Sequence, residues 1–427
     1  MRREFDSADA SVAEALFKKI RDLSANGPYH QGVTRPAYSS IETATLRELE
    51  AFARYEGLHA YSDNASNAWF DQPSTWFDLT KKPAVWIGSH VDSVPQGGNY
   101  DGLAGVIAGL LCLRKIRQRE VTTPRQVRAV ALRGEESAWF GTPYIGAKAF
   151  LGELTPEDLA RPFQRNGEPL SECMRSCGAA VEAISRGEPC MEPSRVAEYW
   201  ELHIEQGPVL VNEKKPVGVV SDIRGNTRHA DIQIVGLAGH SGTVPRELRK
   251  DAVFAFAEFI SHIDFAWGAA ISRGHDLVVT CGIVETDATV HGITRIPGNV
   301  RFCLEWRSRH HNTIDVFQSI VDKTVEEIAA KRGVTFVFDK PVRTSAAQLN
   351  EKLVTRARLA CTYLDLPQRL MPSGAGHDAA VFARAGIPTG MIFIRNENGS
   401  HNPHEAMDID DFMAGVEVLY RVVTAKP

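Results

Sequence analysis

Residues 84–116 read AVWIGSHVDSVPQGGNYDGLAGVIAGLLCLRKI, and this stretch decides the fold. The short apolar run AVWI at 84–87 has the length of a strand, whereas LAGVIAGLLCLRKI has the length and pattern of a helix. VRAVAL at 127–132 returns to strand. Short apolar runs alternate with helical stretches from 83 to 206, which predicts a mostly parallel sheet with covering helices. The expected fold class is α/β.

Further along the chain the pattern changes after Lys215. HADIQIV, from His229, alternates, with Ala230, Ile232 and Ile234 expected on one face and polar side chains on the other. Helical spacing follows in KDAVFAFAEFISHI, then the strands LVVTCG and NVRFCLEWR, then a second helix with Ile314, Phe317, Val321 and Ile328 on one stripe. This part reads as a small α+β unit. From residue 343 the α/β pattern resumes with VTRARLACTYL, AAVFARAG and the strand TGMIFI. One domain of residues 1–214 and 343–427 is therefore expected, with a second inserted at 215–342.

The composition of the 427 residues, 43% hydrophobic and 24% charged, is ordinary for a globular protein with more chain than one core usually organises. A net charge of −5, with no long run of Lys or Arg, offers no electrostatic footprint for nucleic acid or an anionic membrane. The opening MRREFDSADASVAEALFKKI lacks the apolar core of a secretory signal, and no stretch reaches the roughly 18 apolar residues of a membrane span. A cytoplasmic location is expected. Seven cysteines are scattered without paired metal spacing, as reduced thiols are.

Residues that carry chemistry recur where strands end. GSHVDS follows AVWI, GEES follows VRAVAL, ELHIEQG lies near Trp200, and GSHNPHE follows MIFI. Open α/β sheets gather ligands at the carboxyl ends of their strands. Asp101, in NYDGLAG, sits at the mouth of a helix, where partial positive charge suits a carboxylate. His90, Asp101, Glu136, His203 and His401 form the candidate ligand set. Imidazoles and carboxylates without thiolates suit zinc, with manganese, cobalt or nickel able to compete. Two divalent metal ions fit this set better than one, with Asp101 as the candidate bridge between ions about 4 Å apart. Asp92, two residues beyond His90, is placed to accept the other imidazole proton and orient the ring. In the Glu135–Glu136 pair one carboxylate can ligate while its neighbour stays free to take a proton. Each residue alone also reads as an ordinary loop His or a solvated acid; the joint recurrence carries the argument.

GVTRPAYS at 32–39, GSHVDSVPQGGNYDGLAGV, LRGEES, ELHIEQGPVL, GLAGHSGTVP with Arg249-Lys250-Asp251-Ala252, RIPGNVRFCLEWR, SGAGHDAA and GSHNPHE span nearly the whole chain. In that order they resemble the signature blocks of the hydantoinase/carbamoylase amidases, a group of di-zinc peptidase-like hydrolases. It includes N-carbamoyl-L-amino-acid hydrolases, β-ureidopropionases and allantoate amidohydrolases. The resemblance implies a metallopeptidase-like catalytic domain, an inserted lid or dimerisation domain, and a homodimer. It assigns the five ligands as above and makes Glu135 the proton shuttle. It further implies that His240 reaches across a dimer to steady an oxyanion and that His377 touches the reacting group. Arg307 would clamp the substrate carboxylate, with Gln206 lining the same pocket and Thr294 where the group usually has Asn. Read without the resemblance, His240 and His377 beside glycines also suit plain turns. Arg307, sharing a strand face with Arg301, Cys303 and Glu305, also suits an ion-paired surface. Ser137-Ala138-Trp139, the 395–398 loop and Arg246 depart from the group pattern, and a distinctive substrate pocket is expected from them.

The implied reaction is hydrolysis of a linear C–N bond in an N-carbamoyl amino acid or a related ureido or amide acid. Glu135 would deprotonate a metal-bridging water, the hydroxide would attack the carbonyl, and His240 and His377 would stabilise the oxyanion. A metal-dependent aminopeptidase, dipeptidase or N-acyl amino acid amidase on the same scaffold is the rival enzyme reading. HIEQGPVL and GVTRPAYS speak for the carbamoylase branch. The rival from another class is a metal-free binding protein, which metal analysis would separate.

Overall fold

The computed structural model describes residues 3–25, 31–73 and 82–425. Contacts divide the chain into two compact units, Met1–Ser221 with Gln348–Pro427, and Asp222–Ala347.

In the first unit a nine-stranded sheet has four parallel strands at its centre. Their spatial order is Val127–Leu132, Ala84–His90, Val196–Ile204 and Thr389–Ile394. The first two and the last are buried along their full length, because helices cover the sheet. Helix Leu103–Gln118 is one of these, and nearly all of its side chains are buried. It approaches the sheet closely through Gly105, where a Cβ would lie 2.2 Å from the Leu202 carbonyl oxygen. Each fully buried Leu, Ile or Val in this layer contributes roughly 1.5–3 kcal/mol. Helix Ile409–Thr424 presents Phe412, Val416, Val418 and Leu419 to the same core.

Strand Val217–Ile223 follows Lys215, where the change of pattern suggested the insert would begin, yet it pairs antiparallel with Thr389–Ile394 in the main sheet. It is buried at all but one position, which is the signature of a core strand and not of a half-exposed one.

The second unit has a six-stranded antiparallel sheet built around Gly225–Val235 and Asn299–Ser308. Helices Ala252–Ser272 and His311–Arg332 supply Phe259, Ile263, Phe317 and Val321 to its core. Along Asn299–Ser308, Val300, Phe302, Leu304 and Trp306 are buried, while Arg301, Cys303, Glu305 and Arg307 lie on the more open face. The facing of Ala230 departs from its expected place. Ile232 pairs with Phe302 but His229 pairs with Leu304, so a β-bulge reverses the alternation between them. Ala230 is exposed, and His229 takes the inner position, with its ring 5.9 Å from that of Trp306. No helix among the described residues is long and apolar enough to cross a membrane.

Candidate metal centre

Four parallel strands that end on one edge bring their last residues together. His90 closes Ala84–His90, Glu135 and Glu136 lie just beyond Val127–Leu132, His203 is penultimate in Val196–Ile204, and His401 follows Thr389–Ile394. Asp101 directly precedes Gly102, the N-cap of helix Leu103–Gln118. Gly102 has φ +68, and a Cβ there would lie 2.5 Å from the His90 ring.

His90 Nε2 is 3.4 Å and His203 Nε2 3.1 Å from Asp101 Oδ1. His401 Nε2 is 3.2 Å from Glu136 Oε1 and 3.6 Å from Asp101 Oδ2. Ligand atoms within 4.8 Å of one another fall into the groups His90–Asp101–His203 and Asp101–Glu136–His401, with Glu201–His203–His377 as a third. Asp101 turns one oxygen toward each of the first two groups, the geometry of a bridging carboxylate. The third group overlaps the first at His203. His203 Nδ1 donates to the Ile204 carbonyl at 2.8 Å, so Nε2, which accepts the Gly102 N–H at 3.1 Å, is the unprotonated nitrogen that could serve either group.

Asp92 does more than orient His90. Its Oδ1 lies 3.3 Å from His90 Nδ1, and its two oxygens accept the N–H groups of Glu135 at 3.0 Å and Glu136 at 3.1 Å. One buried carboxylate thereby fixes an imidazole and the turn that carries both glutamates.

Gln206 lies beside the candidate bridge. Its Nε2 donates to Asp101 Oδ2 at 2.7 Å, so it holds the candidate bridge. Gln206 at φ +63 and His401 at φ +59 are both left-handed, a strain that persists where surrounding contacts enforce it. Trp139 is 1% exposed; its indole N–H donates to the Ser93 carbonyl at 2.8 Å and the ring stacks on Phe163. Arg395, part-exposed, bonds both oxygens of Asp411 at 2.6 and 3.1 Å, and buried Asn396 accepts the Gln206 N–H at 2.9 Å. Of the departures from the group pattern, Trp139 and Asn396 are therefore framework.

Sequence reasoning missed Ser400, Glu405, Glu201 and Asp378. Ser400 Oγ lies 2.5 Å from Asp101 Oδ2 and 2.6 Å from Glu405 Oε2. Glu405 Oε1 accepts the N–H of Tyr100 at 2.8 Å and of Asp101 at 3.3 Å. Glu201 accepts from Ser89 Oγ and the Ala379 N–H, while neither oxygen of buried Asp378 has a hydrogen-bond partner. Ser400 and Glu405 stand inside the quoted GSHNPHE, and Asp378 directly follows His377, so sequence position offered the signal.

The electrostatics are those of crowded acids. Burial pushes Glu135 well above the usual carboxylate range; His90 pulls the other way, and Glu136, Asp378 and Asp92 push further. Burial also raises Glu136 despite its bond to His401, and raises Glu405 to about 7 with Asp101 adding to the effect. Burial would raise Asp101 as well, but His203 and His90 hold it well below the usual range. The bond to Glu136 lifts His401 to about 9, whereas burial, followed by neighbouring His203, holds His377 well below the imidazole range. A largely buried nitrogen-and-oxygen donor set with surplus negative charge and a shared carboxylate fits a pair of divalent cations.

The other candidate residues belong to the second unit. His240 and Thr294 are neighbours there: Gly239–His240 pairs with Arg295–Ile296, and the Ser241 N–H donates to the Thr294 carbonyl at 2.9 Å. Arg307 Nη2 donates to both Glu305 oxygens at 3.1 and 3.0 Å.

A parallel sheet that delivers imidazoles, an aspartate shared between two ligand groups and paired glutamates to one edge defines the class: a peptidase-like α/β fold with candidate metal ligands. The profile of peptidase family M20/M25/M40 matches residues 86–425. An N-carbamoyl-L-amino acid amidohydrolase from Geobacillus stearothermophilus is 33% identical over 96% of this chain and 97% of its own. An allantoate amidohydrolase from Escherichia coli (strain K12) is 30% identical over 91% of each chain. A hydantoinase/carbamoylase family amidase from Burkholderia multivorans superposes with a TM-score of 0.88 over 97% of each chain at 25% identity. The chain belongs to peptidase family M20/M25/M40 and, within it, to the hydantoinase/carbamoylase amidases.

Proposed function

We propose that the protein hydrolyses the linear C–N bond of an N-carbamoyl amino acid or a related ureido acid at a two-metal centre. One observation carries this reading: Asp101 is shared by two ligand groups, while Glu135, adjacent to the ligand Glu136, belongs to neither. His90, Asp101 and His203 would hold one ion, and Asp101, Glu136 and His401 the other, with zinc suiting the donors and manganese, cobalt or nickel able to compete. Bound there, the ions supply Lewis acidity toward the carbonyl and lower the pKa of water. Amidohydrolases of N-carbamoyl-L-amino acids and of allantoate among the relatives support the substrate class.

The chain's own residues perform the proton and binding steps. Glu135 takes the proton of the attacking water and delivers it to the departing nitrogen. His240 Nδ1 accepts the Gly242 N–H at 3.1 Å, so a neutral ring carries its proton on Nε2, free to donate to a developing oxyanion. His377 is engaged differently. Its Nε2 lies 2.9 Å from Ser373 Oγ, whose own proton goes to the Ala375 carbonyl at 2.8 Å, so the imidazole donates there and keeps an unprotonated Nδ1. We therefore assign it to accept a ureido N–H instead of stabilising the oxyanion. Arg307 and Thr294 bind the substrate carboxylate. A homodimer in the cytoplasm completes the reading; the seven cysteines are free thiols, as a reducing compartment keeps them.

The deciding experiment measures ammonia release from N-carbamoyl α- and β-amino acids and allantoate, and release of free amino acid from N-acyl amino acids and dipeptides, with and without chelator. Ammonia from the ureido acids, lost with chelator and regained with divalent metal, is the expected result. Cleavage of dipeptides or N-acyl amino acids alone would transfer the chain to the rival reading.

Arg307→Ala is expected to weaken acidic substrates by about 1.5–3 kcal/mol, the worth of hydrogen bonds to a charged group, and to spare their amides or esters. The check is kcat/KM for each matched pair. Equal losses in the two series would remove the carboxylate clamp.

A further inference from the structure

We propose that Arg35 is a positioning residue for the metal centre, fixing the spacing between His90 and Asp101. The inference rests on the reading of those two residues as ligands. GVTRPAYS has no part in the chemistry above, yet its first residues run alongside the connection from His90 to Asp101, which contains no helix or strand.

The stitching is dense. Val33 and Gly97 exchange both backbone hydrogen bonds at 2.9 Å. Thr34 Oγ1 accepts the Gln96 N–H at 3.0 Å. The Arg35 N–H donates to Ser93 Oγ, and its carbonyl accepts the Ser93 N–H, each at 3.0 Å. The guanidinium then spans the connection: Nε donates to the Val91 carbonyl at 2.8 Å, and Nη1 to Asn99 Oδ1 and Ser24 Oγ, both at 3.0 Å. Val91 directly follows His90, and Asn99 stands two residues before Asp101. Arg35 is 0% exposed, and a fully buried arginine without a task is uncommon. Glu405, Asp92 and Asp101 offset the charge of its guanidinium. Glu405, in turn, holds the Tyr100 and Asp101 N–H groups. The irregular connection between two ligands is thereby tied down along its length, with one planar, five-donor side chain bridging its ends.

The test uses the full-length wild type, Arg35→Met, Arg35→Lys and Thr34→Val. Each protein is stripped by chelator and titrated with zinc against a competing chelator. The cobalt-loaded form is followed by absorption spectroscopy and the metal-free form by thermal melting. Arg35→Met is expected to lose roughly 10–100-fold in zinc affinity, as the loss of a residue that orients ligands does. Its cobalt spectrum should also be altered, Arg35→Lys should recover part of the loss, and Thr34→Val should show a smaller loss in the same direction. Wild-type affinity in Arg35→Met, with only its melting temperature lowered, would make Arg35 a packing residue and overturn the proposal. If Arg35→Met does not fold, unchanged affinity in Thr34→Val overturns it equally. A wild type that binds no zinc fails the ligand reading itself, and the positioning role falls with it.

Discussion

Glu135→Gln is expected to bind metal at the wild-type stoichiometry and turn over roughly 10²–10⁴-fold more slowly, the usual contribution of a general acid–base group. Glutamine keeps the shape of the side chain, and the backbone N–H that anchors residue 135 to Asp92 is untouched. Residue 135 belongs to no ligand group, so metal should stay. Removing one acid from a buried cluster with Glu136, Asp378 and Asp92 also relieves repulsion, so stability should hold or rise. Elemental analysis beside single-turnover kinetics gives both readings at once. Turnover near the wild-type rate would assign the proton transfer to another group.

The second large effect is expected at His240. His240→Ala should lower kcat by roughly 10²–10³-fold, the loss seen when one oxyanion donor is removed. The side chain is exposed on its own unit, so the fold should tolerate the change. Mixing His240→Ala and Glu135→Gln protomers tests the dimer. If the histidine serves the neighbouring copy, half of a statistical population of dimers carries one complete site, and about a quarter of wild-type activity returns. No recovery would confine the histidine to its own chain.

Much of this centre was legible from sequence because its geometry follows from topology. Parallel strands must end on the same edge, so residues that follow four apolar runs meet whatever the intervening chain does. His90, Glu136, His203 and His401 were found in that way, and Asp101 from its place before a helix. Residues whose roles depend on distant contacts were not legible. Glu405 gains its role from Tyr100 and Asp101, some three hundred residues earlier, and Ser400 from Asp101. Trp139 was placed near the substrate because position in a motif does not give direction; it turns into an apolar cluster. Ala230 failed for a different reason. Strand alternation is local, and a bulge against the neighbouring strand shifts it by one residue without a mark in the sequence.

His401 differs from the other proposed ligands in one respect: 51% of its side chain is open, against 1% for His90 and for His203. The two proposed metal positions should therefore differ in exchange kinetics. The ion at His90 and His203 would leave only when the surrounding framework opens, while the one at His401 could trade with solutes in the buffer. Brief dialysis should then strip one equivalent and leave the other, and refilling with a different ion would give a protein of defined mixed-metal composition. Which metal such a preparation carries at its outer position would be set by its recent history, not by its fold.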